Sequence, residues 1–426
     1  LGLQERARVS SGQGQREIGA GEAHGSLGAL RGRRVLVTGH TGFKGAWLCW
    51  WLRRLGAVPV GLALQPPTTP SLFDALALGG PGAPGAMEDH RVDVRDRDAV
   101  ARVVGASGAD VVVHMAAQSL VRAGYAQACD TFAVNTQGTV HVLEGVRALA
   151  QARAQAKAQA RDRAPLAVLV VTSDKCYRPS ATPHHHDEHD ALGGPDPYSA
   201  SKAAAEIVAG AYGASFFHPG KLGDHGVLLA SVRAGNVIGG GDWAQDRLVP
   251  DAARALAQGA PVPVRHPGAV RPWQHVLDAL SGYLHLACAM LEAGAHRAPA
   301  LAGAWNFGPD DAADERAGAR LTVRQIVEQM IDAWGEVAPG RAGAWEDRSE
   351  PGAVHEAPHL GLSIAKARRE LGWRPVWDAQ QAVRASAQWY KAVMVQGRNA
   401  GQVTGEQLEA FELARARTLG AKAGAR

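Results

Sequence analysis

Arg33-Arg34-Val35-Leu36-Val37-Thr38-Gly39-His40-Thr41-Gly42-Phe43-Lys44-Gly45 reads as a short apolar strand running into a glycine-rich turn. So continuous an apolar run is typical of a parallel strand buried on both faces. Glycines 39, 42 and 45 fall three apart at the strand-to-helix junction. There Gly39 permits a tight turn, Gly42 lets backbone N–H groups approach a pyrophosphate, and Gly45 allows the next helix to pack close to the sheet. Thr41, Phe43 and Lys44 complete the turn, and the helix N-terminus adds partial positive charge for an anion. The turn is therefore expected to hold the pyrophosphate of a nicotinamide dinucleotide.

Outward from this turn the pattern repeats. Trp47, Leu48, Trp51 and Leu55 recur at helical spacing, and Val58–Leu64 is the next strand. Asp110–His114, Leu166–Thr172 and Val227–Arg233 read as further strands, with helices around Asp130–Leu149 and from Pro197 through Ala211. Strands alternating with helices imply βαβ units and a doubly wound parallel α/β sheet of Rossmann type. An acidic residue about 20 residues past such a turn normally holds the adenosine ribose. That position falls near Gln65, and no acidic residue lies between Gly45 and Asp74, so the ribose site leaves NAD and NADP both open. Asp93 and Val94, after the next strand, are expected partners for the adenine. Ala148–Ala164 is low in complexity and reads as a solvated helix extension, Phe217–Gly226 as a surface loop.

The bulk composition sets limits. The chain has 426 residues, 46% hydrophobic and 20% charged, with a formal charge of +4. This is ordinary globular composition without the concentrated basic face of a nucleic-acid binder. Its modest positive balance suits an anionic substrate. The four cysteines (49, 129, 176 and 288) form no CxxC pair, which fits a reducing compartment and no structural zinc. No apolar run approaches the roughly 20 residues of a membrane span, and the first residues carry no apolar signal core. A cytoplasmic protein is expected. Residues 1–30 read as a disordered extension, 31–235 as the NAD(P)-binding domain, 236–400 as a smaller, interleaved substrate-binding domain, and 401–426 as a helical or frayed tail.

The chemistry follows from two further stretches. Tyr198 and Lys202 lie four apart just after Asp196-Pro197, a good helix start, and so share one face. An ammonium beside a phenol favours the phenolate, lowering a pKa normally about 10. Such a tyrosine can take a proton from a substrate hydroxyl. The strand ending at Thr172 delivers Ser173, Asp174 and Lys175 to the carboxyl edge of the sheet, where these folds put their chemistry. Ser173 can hydrogen-bond the reacting oxygen, while Asp174 and Lys175 set an acid beside a base. Ala116, Ala117 and Gln118, after the preceding strand, offer a surface for a nicotinamide ring, and Asn135 is expected to brace that strand.

The stretches TGHTGFKGAWL (38–48), PPTTPSLF (66–73), HMAAQSLVR (114–122), TSDKCY (172–177), PYSASKAAAE (197–206), RAGNVIGGGDWAQDRLVPD (233–251) and RPWQHVLDALSGYL (271–284) resemble the extended short-chain dehydrogenase/reductase family. Within it they are most similar to the sugar-nucleotide dehydratase and epimerase group. GWRP (372–375) extends the likeness towards the C-terminus. Asp174-Lys175 stands where other nucleotide-sugar 4,6-dehydratases usually carry Asp-Glu, and matches the type acting on cytidine diphosphate glucose. The resemblance implies an NAD-dependent hydro-lyase that oxidises C4 of CDP-D-glucose, removes water across C5–C6 and returns hydride to C6. The alternatives are an epimerase or a dehydratase for another nucleotide, and less readily a non-catalytic NAD(P) sensor, which typically loses the tyrosine or lysine.

By the same resemblance Tyr198 is the C4 base, supported by Lys202 and Ser173, with Asp174 the acid at O6 and Lys175 the base at C5. Lysine needs a pKa below its usual value of about 10.4 for that work. Tyr198 and Lys202 also contact the cofactor, and Gln118 serves both cofactor and substrate. Asn236, Arg247 and Arg271 are expected on the sugar and diphosphate, with Trp273 and His275 near the base. His184, His185, His186, Asp187, Glu188 and His189 form a cluster of metal-ligand types, but the implied chemistry needs no metal and none is assigned. A homodimer through a four-helix contact that includes the Tyr198 helix is also implied.

Overall fold

Seven parallel strands form the central sheet of the computed structural model, which describes residues 25–79, 87–157, 164–180, 182, 184–310, 321–349 and 360–423. They are β1 (Arg34–Thr38), β2 (Val58–Ala63), β3 (Glu88–Arg91), β4 (Val111–His114), β5 (Leu166–Val171), β7 (Val227–Ala234) and β11 (Gly303–Phe307). Their order is β11-β7-β5-β4-β1-β2-β3. β1 pairs with β2 on one side and β4 on the other, so the winding reverses there. The crevice beyond the carboxyl ends of β1 and β4 is where this topology binds ligands.

Alternate residues of these strands feed two cores. Leu36, Val60, Leu62, Val112, Val168, Val170 and Leu229 face the helices Arg97–Ala106 and Gly138–Lys157. Val35, Val37, Val111, Val113, Leu169 and Val232 face the other way, into a larger core shared with the helices Phe43–Arg54 and Val276–Leu291. Burial on both faces explains the apolar runs of the inner strands β1, β4 and β5, whereas the edge strand β3, EDHR, is largely exposed.

The C-terminal half is threaded into this frame. β11 completes the sheet beside β7, and the helix Val276–Leu291 covers one face of β5. Four short ladders lie outside the main sheet. β6 (His185–His186) pairs with β15 (Gly361–Leu362), and β8 (Asn236–Ile238) with β10 (Trp273–His275). β9 (Val262–Val264) pairs with β14 (Trp345–Asp347), and β12 (Glu336–Ala338) with β13 (Arg341–Ala342).

Three sequence expectations need correction, and the tail, read as helical or frayed, proves to be helical. The extension assigned to 1–30 ends earlier: Gly25–Leu30 is a 3₁₀ helix whose Leu27 and Leu30 are fully buried, while residues 1–24 lie outside the described residues. The tail is a docked helix, Ala400–Ala423. Its Phe411 meets Trp51 edge-on at 5.7 Å, and Trp51 Nε1 donates to Glu412 at 3.0 Å. The loop expected at Phe217–Gly226 holds a 3₁₀ turn and a short helix, and Phe217 is buried. Finally, the extension after Ala148 is not wholly solvated. Arg153 is buried, bonded to the carbonyls of Ala109 and Ala164 and 3.5 Å from Asp110. Residues 158–163 of that stretch lie outside the described residues.

Candidate active site

The glycine turn is shaped by close backbone approach. Gly39 has φ +73°, and a Cβ there would meet the backbone of Ala116 at 2.8 Å, so this corner admits only glycine. A Cβ on Gly45 would fall 2.2 Å from the carbonyl of Gly39. Thr38 stitches the turn to the loop after β4. Its hydroxyl accepts from the amides of Met115 and Ala116, each at 3.1 Å, and shares a hydrogen bond of 2.7 Å with His114. Burial pushes the His114 imidazole down to about 3, so it is neutral. Gly42 caps the helix Phe43–Arg54 without any side-chain hydrogen bond, which leaves that N-terminus available to an anion.

Around this turn the predicted residues divide. Thr41 Oγ1 donates to the carbonyl of Leu64 at 3.1 Å, and Phe43 packs partly buried against the larger core. Asp93 is bound by Arg95 at 2.7 Å, and Val94 is buried with its carbonyl accepting from His141. Ala116 and Ala117 remain partly exposed. Gln118 is bonded within its loop: its amide donates to Leu120 O and Thr131 Oγ1, each at 3.0 Å, and its carbonyl accepts from Leu120 N. That side chain organises its own loop. Asn135 does brace this loop, through its side chain. Oδ1 accepts from Gln118 N at 2.9 Å, while Nδ2 donates to Gln118 O and to Ser201 of the Tyr198 helix.

The residues expected to carry the chemistry assemble at the carboxyl end of β5. Ser173 caps a 3₁₀ turn, Asp174–Cys176, accepting from Lys175 N at 3.2 Å and donating to Asp174 Oδ1 at 2.9 Å. Asp174 is 1% exposed, and its Oδ2 has no hydrogen-bond partner among the described residues. A buried carboxylate oxygen left unpaired is costly, so it marks a place for a ligand. Lys175 Nζ donates to Asp174 Oδ1 at 3.3 Å and to Asn236 Oδ1 at 3.2 Å. Asn236, on β8, is thereby brought beside the acid–base pair.

Tyr198 and Lys202 lie on the helix Pro197–Ser215, started by Asp196, whose carboxylate accepts from Ser199 N at 3.0 Å. The expected lowering of the phenol is reversed here. Burial pushes Tyr198 up to about 12, reinforced by the Asp174 charge, while the neighbouring Ser173 hydroxyl and Arg247 pull the other way. Lys202 donates to the carbonyl of Val171 at 3.2 Å, and burial brings its ammonium down to about 8. Lys44, read as part of the phosphate turn, donates to Tyr283 OH at 3.0 Å. Burial, then the charges of Lys202 and Arg247, lower it to about 7.

Arg247 bridges the two halves of the chain, donating to Asp242 at 3.1 Å and to Ser119 at 2.8 Å. Arg271 and Trp273 line a separate groove with His185, Pro309, Leu321 and Leu362, which shares no lining residue with the Tyr198 set. His275 requires a correction. It is fully buried, caps the helix Val276–Leu291 and sits edge-on between Trp47 and Trp377. Its Nε2 has no hydrogen-bond partner among the described residues.

Sequence reading missed the support beneath the turn. Glu206 accepts from Thr172, from Ser231 at 2.7 Å and from Arg233 at 2.7 Å. Arg233 also donates to Tyr177 OH at 2.7 Å, and Tyr177 donates to Asn306 at 2.8 Å. The one available signal was spacing: Glu206 lies four residues beyond Lys202, on the same helix face.

Comparison with known proteins agrees with this geometry. Residues 35–298 match the model of the NAD dependent epimerase/dehydratase family. The chain is 43% identical over 364 residues to the CDP-glucose 4,6-dehydratase of Salmonella typhimurium, covering 85% of this chain and 91% of that protein. It is 28% identical to the dTDP-glucose 4,6-dehydratase of Streptomyces griseus, over 84% of this chain and 93% of that protein. The dTDP-glucose 4,6-dehydratase of Bacillus anthracis, solved with NAD, shares the fold with a TM-score of 0.63 at 20% identity, covering 84% of this chain and 96% of that one. With the family's turn, catalytic pair and sheet all in place, this chain belongs to the NAD dependent epimerase/dehydratase family.

Proposed function

We propose that the protein is an NAD-dependent lyase converting CDP-D-glucose to CDP-4-dehydro-6-deoxy-D-glucose. The observation that carries this reading is the buried Asp174 with its unpaired Oδ2, bonded through Oδ1 to Lys175 beside Tyr198. Epimerisation at C4 needs no such acid–base pair, whereas loss of water across C5–C6 needs both an acid and a base. The 43% identity to a CDP-glucose 4,6-dehydratase supports cytidine as the base.

The residues fit NAD. The Gly39–Gly45 turn and the uncapped N-terminus of the helix Phe43–Arg54 suit the pyrophosphate, with Lys202 and Tyr198 at the reacting end. When bound there, NAD would supply the hydride acceptor for oxidation at C4 and the hydride donor for reduction at C6. Tyr198, reacting as its phenolate, takes the proton of the C4 hydroxyl as the ketone forms. That ketone acidifies C5, whose proton passes to Lys175 while Asp174 protonates the departing C6 hydroxyl. Lys175 then returns its proton to C5. Tyr198 has gained one proton and Asp174 has lost one. Ser173, bonded to Asp174 Oδ1 and adjoining Tyr198, is placed to relay it back. Asn236 and Arg247 serve the sugar and diphosphate.

We also read the enzyme as a homodimer and, given four unpaired cysteines, as cytoplasmic. Among the described residues no helix is long and apolar enough to cross a membrane. The test of function is mass analysis of products from CDP-glucose, dTDP-glucose and GDP-mannose, each offered separately with NAD. Loss of one water from CDP-glucose alone, without net NADH, is expected. No water loss from any of the three would sink the dehydratase reading in favour of an epimerase or reductase.

A further inference from the structure

The segment between the catalytic turn and the Tyr198 helix carries a cluster that the reaction does not use. His184 and His186 alternate along an extended segment that includes β6, so both imidazoles fall on one side of it. The turn that follows brings Asp190 back to meet them. His184 Nε2 lies 2.6 Å and His186 Nδ1 2.9 Å from the same oxygen, Asp190 Oδ2. One ligand atom from each residue falls within 4.8 Å of the others. We propose that His184, His186 and Asp190 form a binding site for a zinc-type divalent cation, with the remaining coordination positions filled by solvent.

Each part of the set suits that role. Two imidazoles and one carboxylate are borderline donors that favour zinc and its neighbours over magnesium or calcium. The His186 ring is fixed by stacking on Tyr177, centroids 4.7 Å apart and 6° from parallel. A preset ring orientation favours binding. His184 is 46% exposed on its side chain and Asp190 30%, so an ion can enter from solvent.

The site is structural with respect to the proposed reaction, which takes no part of its chemistry from a metal. Its reach is through Tyr177, the last residue of the catalytic turn segment, and through the backbone bonds Arg178 N to Ala191 O and Gly193 N to Cys176 O. An ion at Asp190 would tie the 184–190 segment to that turn and stiffen it.

The test uses the full, untagged chain, stripped by chelator and titrated with zinc chloride in a calorimeter, with elemental analysis after desalting. One zinc per chain is expected. His184→Ala and Asp190→Asn should each weaken binding by about tenfold or more, while His189→Ala, outside the set, should keep the wild-type affinity. His184 is exposed, and an unchanged melting temperature of metal-free His184→Ala would confirm that it folds. Cobalt should give the visible absorption of a low-coordinate nitrogen and oxygen site in wild type and lose it in both variants. Absence of stoichiometric zinc, or affinity indifferent to both variants, would overturn the proposal. None of these readouts depends on the dehydratase activity.

Discussion

In the proposed reaction Asp174 and Lys175, 3.3 Å apart, divide one elimination between them, and the division is testable one atom at a time. Lys175→Ala removes the base at C5 but leaves Tyr198 and Lys202 in place. C4 oxidation should therefore continue, with reduced cofactor accumulating, while release of water falls by about 10²–10⁴-fold. Single-turnover absorbance of the cofactor, paired with mass analysis, separates the two steps. Normal water loss in the variant would take lysine out of the mechanism. At this scale the sequence was legible where spacing alone makes neighbours. Tyr198 and Lys202 are four apart on one helix, and Ser173, Asp174 and Lys175 are consecutive. It was silent where a side chain's bonds are set by distant packing. His275 is sealed between Trp47 and Trp377, Gln118 bonds its own loop, and Lys44 reaches Tyr283 in a different segment.

Between β5 and the Tyr198 helix, the turn Thr172–Tyr177 is clamped at both ends by one ion pair. Glu206 takes the Thr172 hydroxyl at its start, and Arg233 takes the Tyr177 hydroxyl at its end. The pair closes at 2.7 Å with both side chains 4% exposed. Removing one partner of such a pair leaves a buried charge uncompensated and typically costs about 3–5 kcal/mol. Arg233→Met should lower unfolding stability by that amount in urea titration, with turnover falling as the turn loosens. A loss below about 1 kcal/mol would mean that solvent already screens the pair. Elements were legible from sequence when both faces are buried, as in RVLVT and LAVLVV, because every position is then apolar. For Ala400–Ala423 the sequence left a helical and a frayed reading open. Its pattern is diluted by alanine and arginine, and only the docking of Phe411 against Trp51 and Trp377 reveals its inward face.

On the whole molecule, the strand order places Tyr198, Lys175 and the glycine turn along one sheet edge, while the larger core runs from Leu27 to Phe411 without interruption. Alternating strands and helices announced the sheet. The insertion of β11 at its far edge could not be read, since GAWNF carries no mark of which strand it will join. One surface stays unexplained within a single chain. Ile207 on the Tyr198 helix is 63% exposed, and Phe132 and Tyr125, on helices packed against it, are 40% and 45% exposed. Large apolar groups standing together in solvent fit a partner surface. A twofold dimer would use this face on both copies, so a single substitution is counted twice. If this face is the dimer contact, Ile207→Glu places a charge within it. Weakening the dimer by about 3 kcal/mol corresponds to roughly a hundredfold rise in its dissociation constant. Sedimentation at micromolar concentration should then show wild-type dimers and variant monomers. If the variant sediments like the wild type, the Ile207 face is not the dimer contact, and the four-helix arrangement inferred for this chain must be abandoned.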